Sequence, residues 1–245
     1  MQEKAEPWQL VVTFLVLLGV YFLLPDRMIN GVSKGDYEKI VENYEKLEVR
    51  YNAYKASGRK SGFIKPEQID DLREIFIFLH AEDAQEVWIK YHIPASVCMA
   101  QAIVESDAGT SALFNTTGNF FGIKCADHSQ SSCLGKDFDD CIQYEDDYTY
   151  DHFKKCRDAS ESFAQYVEVL SNPRYKKCFD CGLDYKCWAR MLEKAGYATN
   201  NQYAEMLISM IERYKLQKLD GDKPYRLTPQ QIKRLTGEKE KKNKK

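Results

Sequence analysis

The 245-residue sequence holds only four histidines and contains no HExxH, GxSxG, GxxxxGK[ST] or GxGxxG motif. Those absences set aside zincin-type proteases, serine hydrolases with a nucleophile elbow, P-loop nucleotide binders and dinucleotide-binding enzymes. A net positive charge is missing too: 35 Lys and Arg face 37 Asp and Glu, for a formal charge of −2. A chain-wide basic footprint is thereby excluded, and no nucleic-acid partner is expected. The balance is uneven, because residues 220–245 carry nine basic and four acidic residues, about +5, which leaves about −7 on residues 1–219. An acidic body is thus followed by a basic tail, which such a composition predicts to be solvated and disordered.

Charge is also absent from residues 8–24, WQLVVTFLVLLGVYFLL. At a rise of about 1.5 Å per residue, this run reaches the lower limit for crossing a bilayer core. Trp8 and Tyr21 stand near its edges, where interfacial aromatics belong. A cleaved signal peptide wants a basic start and small residues at the cut. Here Glu3, Lys4 and Glu6 precede the run, and Leu23, Leu24 and Pro25 close it, so an uncleaved anchor over residues 1–30 is the expectation.

Eight cysteines follow: Cys98, Cys125, Cys133, Cys141, Cys156, Cys178, Cys181 and Cys187. An even set, mostly outside helical periodicity, suits disulfides in an oxidising compartment. Zinc is the rival, through Cys178, Cys181 and Cys187, but no second CxxC or HxxxH completes a tetrahedral set, and no metal or cofactor is expected. Cys98 differs, being embedded in an apolar helix where it serves as a small hydrophobe. A Cys-His nucleophile built on Cys98 or Cys125 competes poorly with these uses.

Tyr37, Ile40, Val41, Tyr44, Leu47 and Tyr51 recur at steps of three and four, which predicts an amphipathic helix over about 36–54. With the Ser57, Gly58, Ser61 and Gly62 joint, it forms a stalk and linker over 31–62, which lifts the next domain off the membrane, pairs with a partner helix or packs on its own domain. Residues 63–219 are the expected catalytic body. Pro66 opens a helix running to His92, Pro94 opens another that stops near Gly109, and residues 110–157 lose the helical period. Asp158 with Glu161 marks a further helix start, and two more helices follow, the last carrying Tyr203, Leu207, Met210, Ile211 and Tyr214.

Glu105 is the first candidate for chemistry because it closes the helix begun at Pro94. The negative end of the helix dipole and burial beside Val104 both disfavour its ionised form. A carboxyl kept protonated near neutrality can donate to a leaving oxygen. Glycosidic cleavage then wants a second carboxylate across the bond, and Asp137, Asp139, Asp140, Glu145, Asp146 and Asp147 are available, densest at Tyr144-Glu145-Asp146. Phe120, Phe121, Tyr144, Trp188 and Tyr197 could stack on sugar rings, although most aromatics in any domain are core.

The runs IPASVCMAQAIVESDAGTS (93–111), GNFFGIK (118–124), FAQYVEVLSNPRY (163–175) and WARMLEKAGYATNNQYAEMLISMIERYKL (188–216) strongly resemble the glucosaminidase family of peptidoglycan hydrolases, glycoside hydrolase family 73. The resemblance implies a mainly α, lysozyme-like fold with a small β-lobe, here Cys-rich. It implies cleavage of the N-acetylglucosaminyl-β-1,4-N-acetylmuramyl bond of cell-wall glycan, with Glu105 as general acid. Asn119, Phe121 and Gly122 match the family's NxFG cleft wall, with Phe120 beside them, and Tyr197 matches its substrate-facing tyrosine. Glu145 or Asp146, with Tyr144 alongside, is the expected second carboxylate, and Asp139 is the reserve. A lytic transglycosylase and a non-catalytic wall-binding scaffold are the alternatives. The layout of anchor, stalk and tail points to an inner-membrane protein facing the periplasm or wall, with peptidoglycan and envelope-spanning assembly proteins as partners.

Overall fold

The computed structural model describes residues 31–60, 62–125, 141–146 and 149–237. The apolar run at 8–24, Cys133, Asp137, Asp139, Asp140 and Asp147 lie outside these residues. No helix among the described residues is long and apolar enough to cross a membrane.

Helix α1 (Lys34–Ala56) starts where the Ser33 hydroxyl accepts from the Asp36 N–H, and it buries Ile40, Leu47 and Tyr51. These belong to the predicted stripe, and of the three arrangements left open for the stalk, the helix packs on its own domain. Helix α2 (Pro66–Tyr91) has Pro66 in its first turn, where no N–H is needed. It is buried on two sides: Phe76, Ile77, Ala81, Ala84 and Val87 face the main core, while Leu72, Ile75 and Phe78 join a second core with Ile40 and Leu47.

Helix α3 (Ala95–Ser106) is the centre of the main core, with every residue from Ala95 to Ile103 buried. It ends at Asp107, whose left-handed backbone (φ 51°) accompanies Ala108 (φ 53°) and Gly109 (φ 77°). Left-handed backbone is costly for the two non-glycine residues, at about 1 kcal/mol each or more. At Gly109 a Cβ would stand 2.7 Å from the Tyr44 hydroxyl and 3.2 Å from the Phe76 ring, so a side chain there would be strained by its φ and would displace its neighbours.

Residues 110–157, where no helical period shows, also hold a six-residue helix, α4 (Ala112–Thr117), capped by the Ser111 side chain. The lobe is a two-stranded antiparallel sheet, β1 (Cys141–Asp146) with β2 (Thr149–Lys154). Residues 123–125 add a short third pairing, in which the Cys125 N–H donates to His152 O (2.8 Å) and the Lys154 N–H to Ile123 O (2.9 Å). The Cys125–Cys141 disulfide ties this segment to the start of β1.

Helix α5 (Ala159–Leu170) begins as expected, with Asp158 accepting from the Glu161 N–H at 2.8 Å. A 3-10 segment (Pro173–Cys181), α6 (Tyr185–Lys194) and α7 (Tyr203–Tyr214) complete the main body. Residues 220–245 were expected to be a disordered tail, and this is corrected as far as residue 237. Thr228 and Gln231 form a capping box that starts α8 (Pro229–Leu235), and Leu227 and Leu235 are buried in the second core. Burial of those leucines outweighs the tail's unfavourable average composition.

Cysteine chemistry is settled for the described residues. Cys181 is bonded to Cys187, so the trio considered for zinc is a disulfide beside a free Cys178. Cys125 is consumed by its bond to Cys141, and burial holds the Cys98 thiol far above its ordinary range. Neither can serve as the nucleophile considered above.

Candidate active site

Glu105 sits one residue before the end of α3 and is half-buried. Burial pushes its carboxyl pKa up, and a hydrogen bond from Tyr203 pulls partly against it. The raised direction agrees with the sequence reading, and its leading cause is desolvation.

Behind Glu105 stands a continuous hydrogen-bonded chain. The Tyr203 hydroxyl donates to Glu105 Oε1 at 2.7 Å, Gln101 Nε2 donates to the Tyr203 hydroxyl at 2.9 Å, and the Tyr166 hydroxyl donates to Gln101 Oε1 at 2.6 Å. Gln101 lies one helical turn before Glu105, so both side chains share one face of α3. Gln101, Tyr166 and Tyr203 are all buried, and a buried amide with both ends occupied is a rigid spacer. Burial also holds the Tyr203 hydroxyl far above its ordinary range, so it stays a donor at any physiological pH.

Aromatic rings brace this chain on two sides. Tyr197 stacks on Tyr203 (centroids 5.7 Å apart, planes 16°), and Phe121 stacks on Tyr166 (4.3 Å, 19°). Tyr197 is half-buried and close enough to Glu105 for the carboxylate to raise its pKa, although burial is the larger cause.

The structure corrects the expectation that Phe120 and Phe121 could stack on sugar rings. Phe120 is 2% exposed and packs among Phe76, His80, Phe114 and Phe163; Phe121 is 3% exposed between Phe163 and Tyr166. Neither ring leaves a face for a ligand. Asn119 is equally committed: its amide donates to Ile123 O and Lys154 O and accepts from the Phe121 and Ile123 N–H groups. Three of these bonds brace the loop itself and the fourth, to Lys154 O, ties it to β2, which makes Asn119 a structural clasp between body and lobe. Gly118 permits that junction, because a Cβ there would meet Cys156 O at 2.5 Å. Gly122 alone of the four is partly exposed, with open space where a side chain would be.

Tyr144, Glu145 and Asp146 occupy β1 opposite Asp151, Tyr150 and Thr149 respectively. Their side chains lie outside the described residues. Trp188 is fully buried, its indole N–H bonded to Gly182 O at 2.7 Å, so it belongs to the core. Beside the acid, Val104 of α3 and Gln202, Glu205, Met206, Ser209 and Met210 line an open depression of about 510 Å³. Val104 and Gln202 are the chain neighbours of Glu105 and Tyr203. Sequence reading missed Tyr203 and Gln101 as site residues. Their signal was positional: Gln101 is a lone amide in an otherwise apolar stretch of α3, four residues before the acid.

A half-buried, protonable carboxyl on a helical body that carries a small sheet lobe defines the class as a candidate glycoside hydrolase. Residues 81–216, more than half of the chain, match the Glucosaminidase family, described as mannosyl-glycoprotein endo-beta-N-acetylglucosaminidase, and the chain belongs to that family. It is 29% identical over 164 residues to the exo-glucosaminidase LytG of Bacillus subtilis, covering 64% of this chain and 57% of that protein. With the peptidoglycan hydrolase FlgJ of Vibrio cholerae the identity is 29% over 157 residues, covering 61% and 46%. The chain thus spans about half the length of these curated relatives. Among solved structures, the catalytic domain of the Listeria monocytogenes autolysin Auto superposes with a TM-score of 0.50 at 26% identity, covering 69% of this chain and 96% of that one. An N-acetylmuramoyl-L-alanine amidase from Staphylococcus aureus gives 0.52 at 29% identity, covering 71% and 49%.

Proposed function

We propose that the protein is a peptidoglycan hydrolase that cleaves the N-acetylglucosaminyl-β-1,4-N-acetylmuramyl bond, with Glu105 as the general acid. The observation that carries this reading is the hydrogen bond from Tyr203 to a half-buried Glu105 at the end of α3, in a chain of the glucosaminidase family. Tyr203 occupies Oε1, so Oε2 is the oxygen that carries the transferable proton to the bridging oxygen of the glycan. Leaving-group protonation of this kind contributes roughly 10²–10⁴-fold to rate. Glu145 or Asp146 of β1 supplies the second carboxylate, which steadies the oxocarbenium-like state or orients water. Gly122, Tyr144 and Tyr197 contribute to holding the glycan.

Residues 8–24 anchor the chain in the cytoplasmic membrane, with the catalytic domain facing the periplasm or cell wall and within reach of envelope-spanning assembly proteins. Two disulfides among the described residues support an oxidising compartment. Protease added from the periplasmic side should cut the domain in intact spheroplasts, and protection there would remove the topology.

The activity is tested by digesting purified peptidoglycan with the full chain, reducing the fragments with borohydride and weighing them. Reduced N-acetylglucosamine at the new ends is the expected product. Anhydro-sugar ends would make the protein a transglycosylase, and bound but uncut glycan would make it a scaffold.

A further inference from the structure

Helix α1 and residues 220–237 lie outside residues 81–216 that match the family, yet both ends of the helix bearing Glu105 are fastened by them. At the start of α3, Asp220 accepts from the Ser96 N–H at 2.8 Å and from the Ser96 hydroxyl at 2.6 Å. At its end, the turn that begins two residues after Glu105 runs through three consecutive left-handed residues, Asp107, Ala108 and Gly109. Three side chains of α1 grip that turn. Tyr44 donates to Ala108 O at 2.7 Å, and Tyr51 donates to Asp107 Oδ1 at 3.1 Å. Lys55 Nζ donates to Asp107 Oδ2 at 2.9 Å, to Thr110 O at 3.0 Å and to Thr110 Oγ1 at 2.9 Å.

A left-handed run in non-glycine residues persists only where its surroundings hold it. The turn's own bonds, among them Gly109 N–H to the Ser106 hydroxyl at 2.8 Å and Ala108 N–H to Ile103 O at 2.8 Å, hold it from within, and α1 holds it from outside, so a helix that the family match does not include helps to define the end of α3. Helix α1 is itself held from the far side, where the Asn43 amide donates to Leu235 O at 2.9 Å. We propose that Lys55, Tyr51 and Tyr44 are positioning residues for Glu105: they never touch the glycan, but by fixing the turn at 107–110 they set where the acid's proton is presented. The inference rests on the general-acid role given to Glu105 above.

The test uses the full chain and a soluble peptidoglycan oligosaccharide, with unfolding followed alongside turnover. In Lys55→Met combined with Tyr51→Phe, kcat should fall about 10- to 100-fold, the scale set by an ångström of misplacement, while KM stays within about two-fold. Lys55→Arg, which keeps a charged donor, should recover most of the kcat. Tyr51→Phe and Tyr44→Phe each remove one hydroxyl and keep the ring, so they report even if the double variant is unstable, and each should lower kcat by a few-fold. Lys46→Ala, which alters only an exposed pair on the same helix, should leave kcat unchanged. A folded double variant with wild-type kcat, or a fall in kcat that matches the unfolded fraction, overturns the proposal. Full turnover in Glu105→Gln would instead overturn the acid assignment on which it rests.

Discussion

The two sides of the candidate site are built to different standards of rigidity. On the helical side, Glu105 is backed by Tyr203, Gln101 and Tyr166, all buried and joined by hydrogen bonds of 2.6–2.9 Å, with Tyr197 and Phe121 stacked against the tyrosines. On the sheet side, two six-residue strands hang from the body by the Asn119 clasp, the pairing at 123–125 and one disulfide. Two strands alone are marginal in water. The contrast suits the proposed function, in which a proton is presented within a fraction of an ångström and a lobe that admits a polymer yields.

If the helical side carries the acid, its loss is the largest effect. Glu105→Gln should lower kcat by about 10³-fold with the fold intact, as circular dichroism and turnover on the same sample will show. Next come the sheet-side carboxylates. One of Glu145→Gln and Asp146→Asn should cost about 10²-fold in kcat/KM. If both stay within two-fold of wild type, the lobe supplies no second carboxylate and the contrast loses its chemical meaning.

Tyr203→Phe should have a smaller effect, about ten-fold in kcat/KM. Its hydrogen bond holds the Glu105 pKa down against burial, so removing it should move the basic limb of the pH profile upward. An unmoved limb would show that Tyr203 does not govern the acid. Removing the lobe's disulfide with Cys125→Ser and Cys141→Ser should chiefly loosen the sheet side. The bond closes a 16-residue separation, worth up to about 3 kcal/mol on chain-entropy grounds. Hydrogen exchange should quicken in β1 and β2 while α3 keeps its protection.

The smallest effect is on stability against pH. The fold favours protonated Glu105, so that group's contribution is complete below the unfolded carboxyl range and is lost as pH rises through its raised folded pKa. Glu105→Gln has no such loss. Its stability relative to wild type should therefore be flat at low pH and grow across that window, and parallel curves would contradict the burial of the acid.

The helical side was far more legible in the sequence than the sheet side. Apolar residues at steps of three and four announced α1, α2, α5 and α7, and Asp158 with Glu161 announced a cap, because these signals are local. The six residues of α4 are too few for a period to show. Helix α8 was hidden by averaging: the charge of residues 220–245 masked Leu227 and Leu235, which pack with α1, 192 positions away at the Asn43–Leu235 hydrogen bond. The raised pKa of Glu105 was legible from its place near the end of an apolar helix, where burial is local. The Asn119 loop misled, because a motif beside a cleft does not say whether its rings face solvent or core, and here Phe163 and Tyr166 claim both phenylalanines. Tyr203 and Gln101 escaped notice because their meaning lies in contacts across 98 and 102 positions of sequence.

The most direct measurement is a carbon-13 NMR titration of the Glu105 side-chain carboxyl in the folded protein. Its midpoint should lie above the ordinary glutamate value of about 4.3 and rise further in Tyr203→Phe. A midpoint at or below that value, indifferent to Tyr203, would mean the carboxyl is an ordinary solvated anion and has no proton to give.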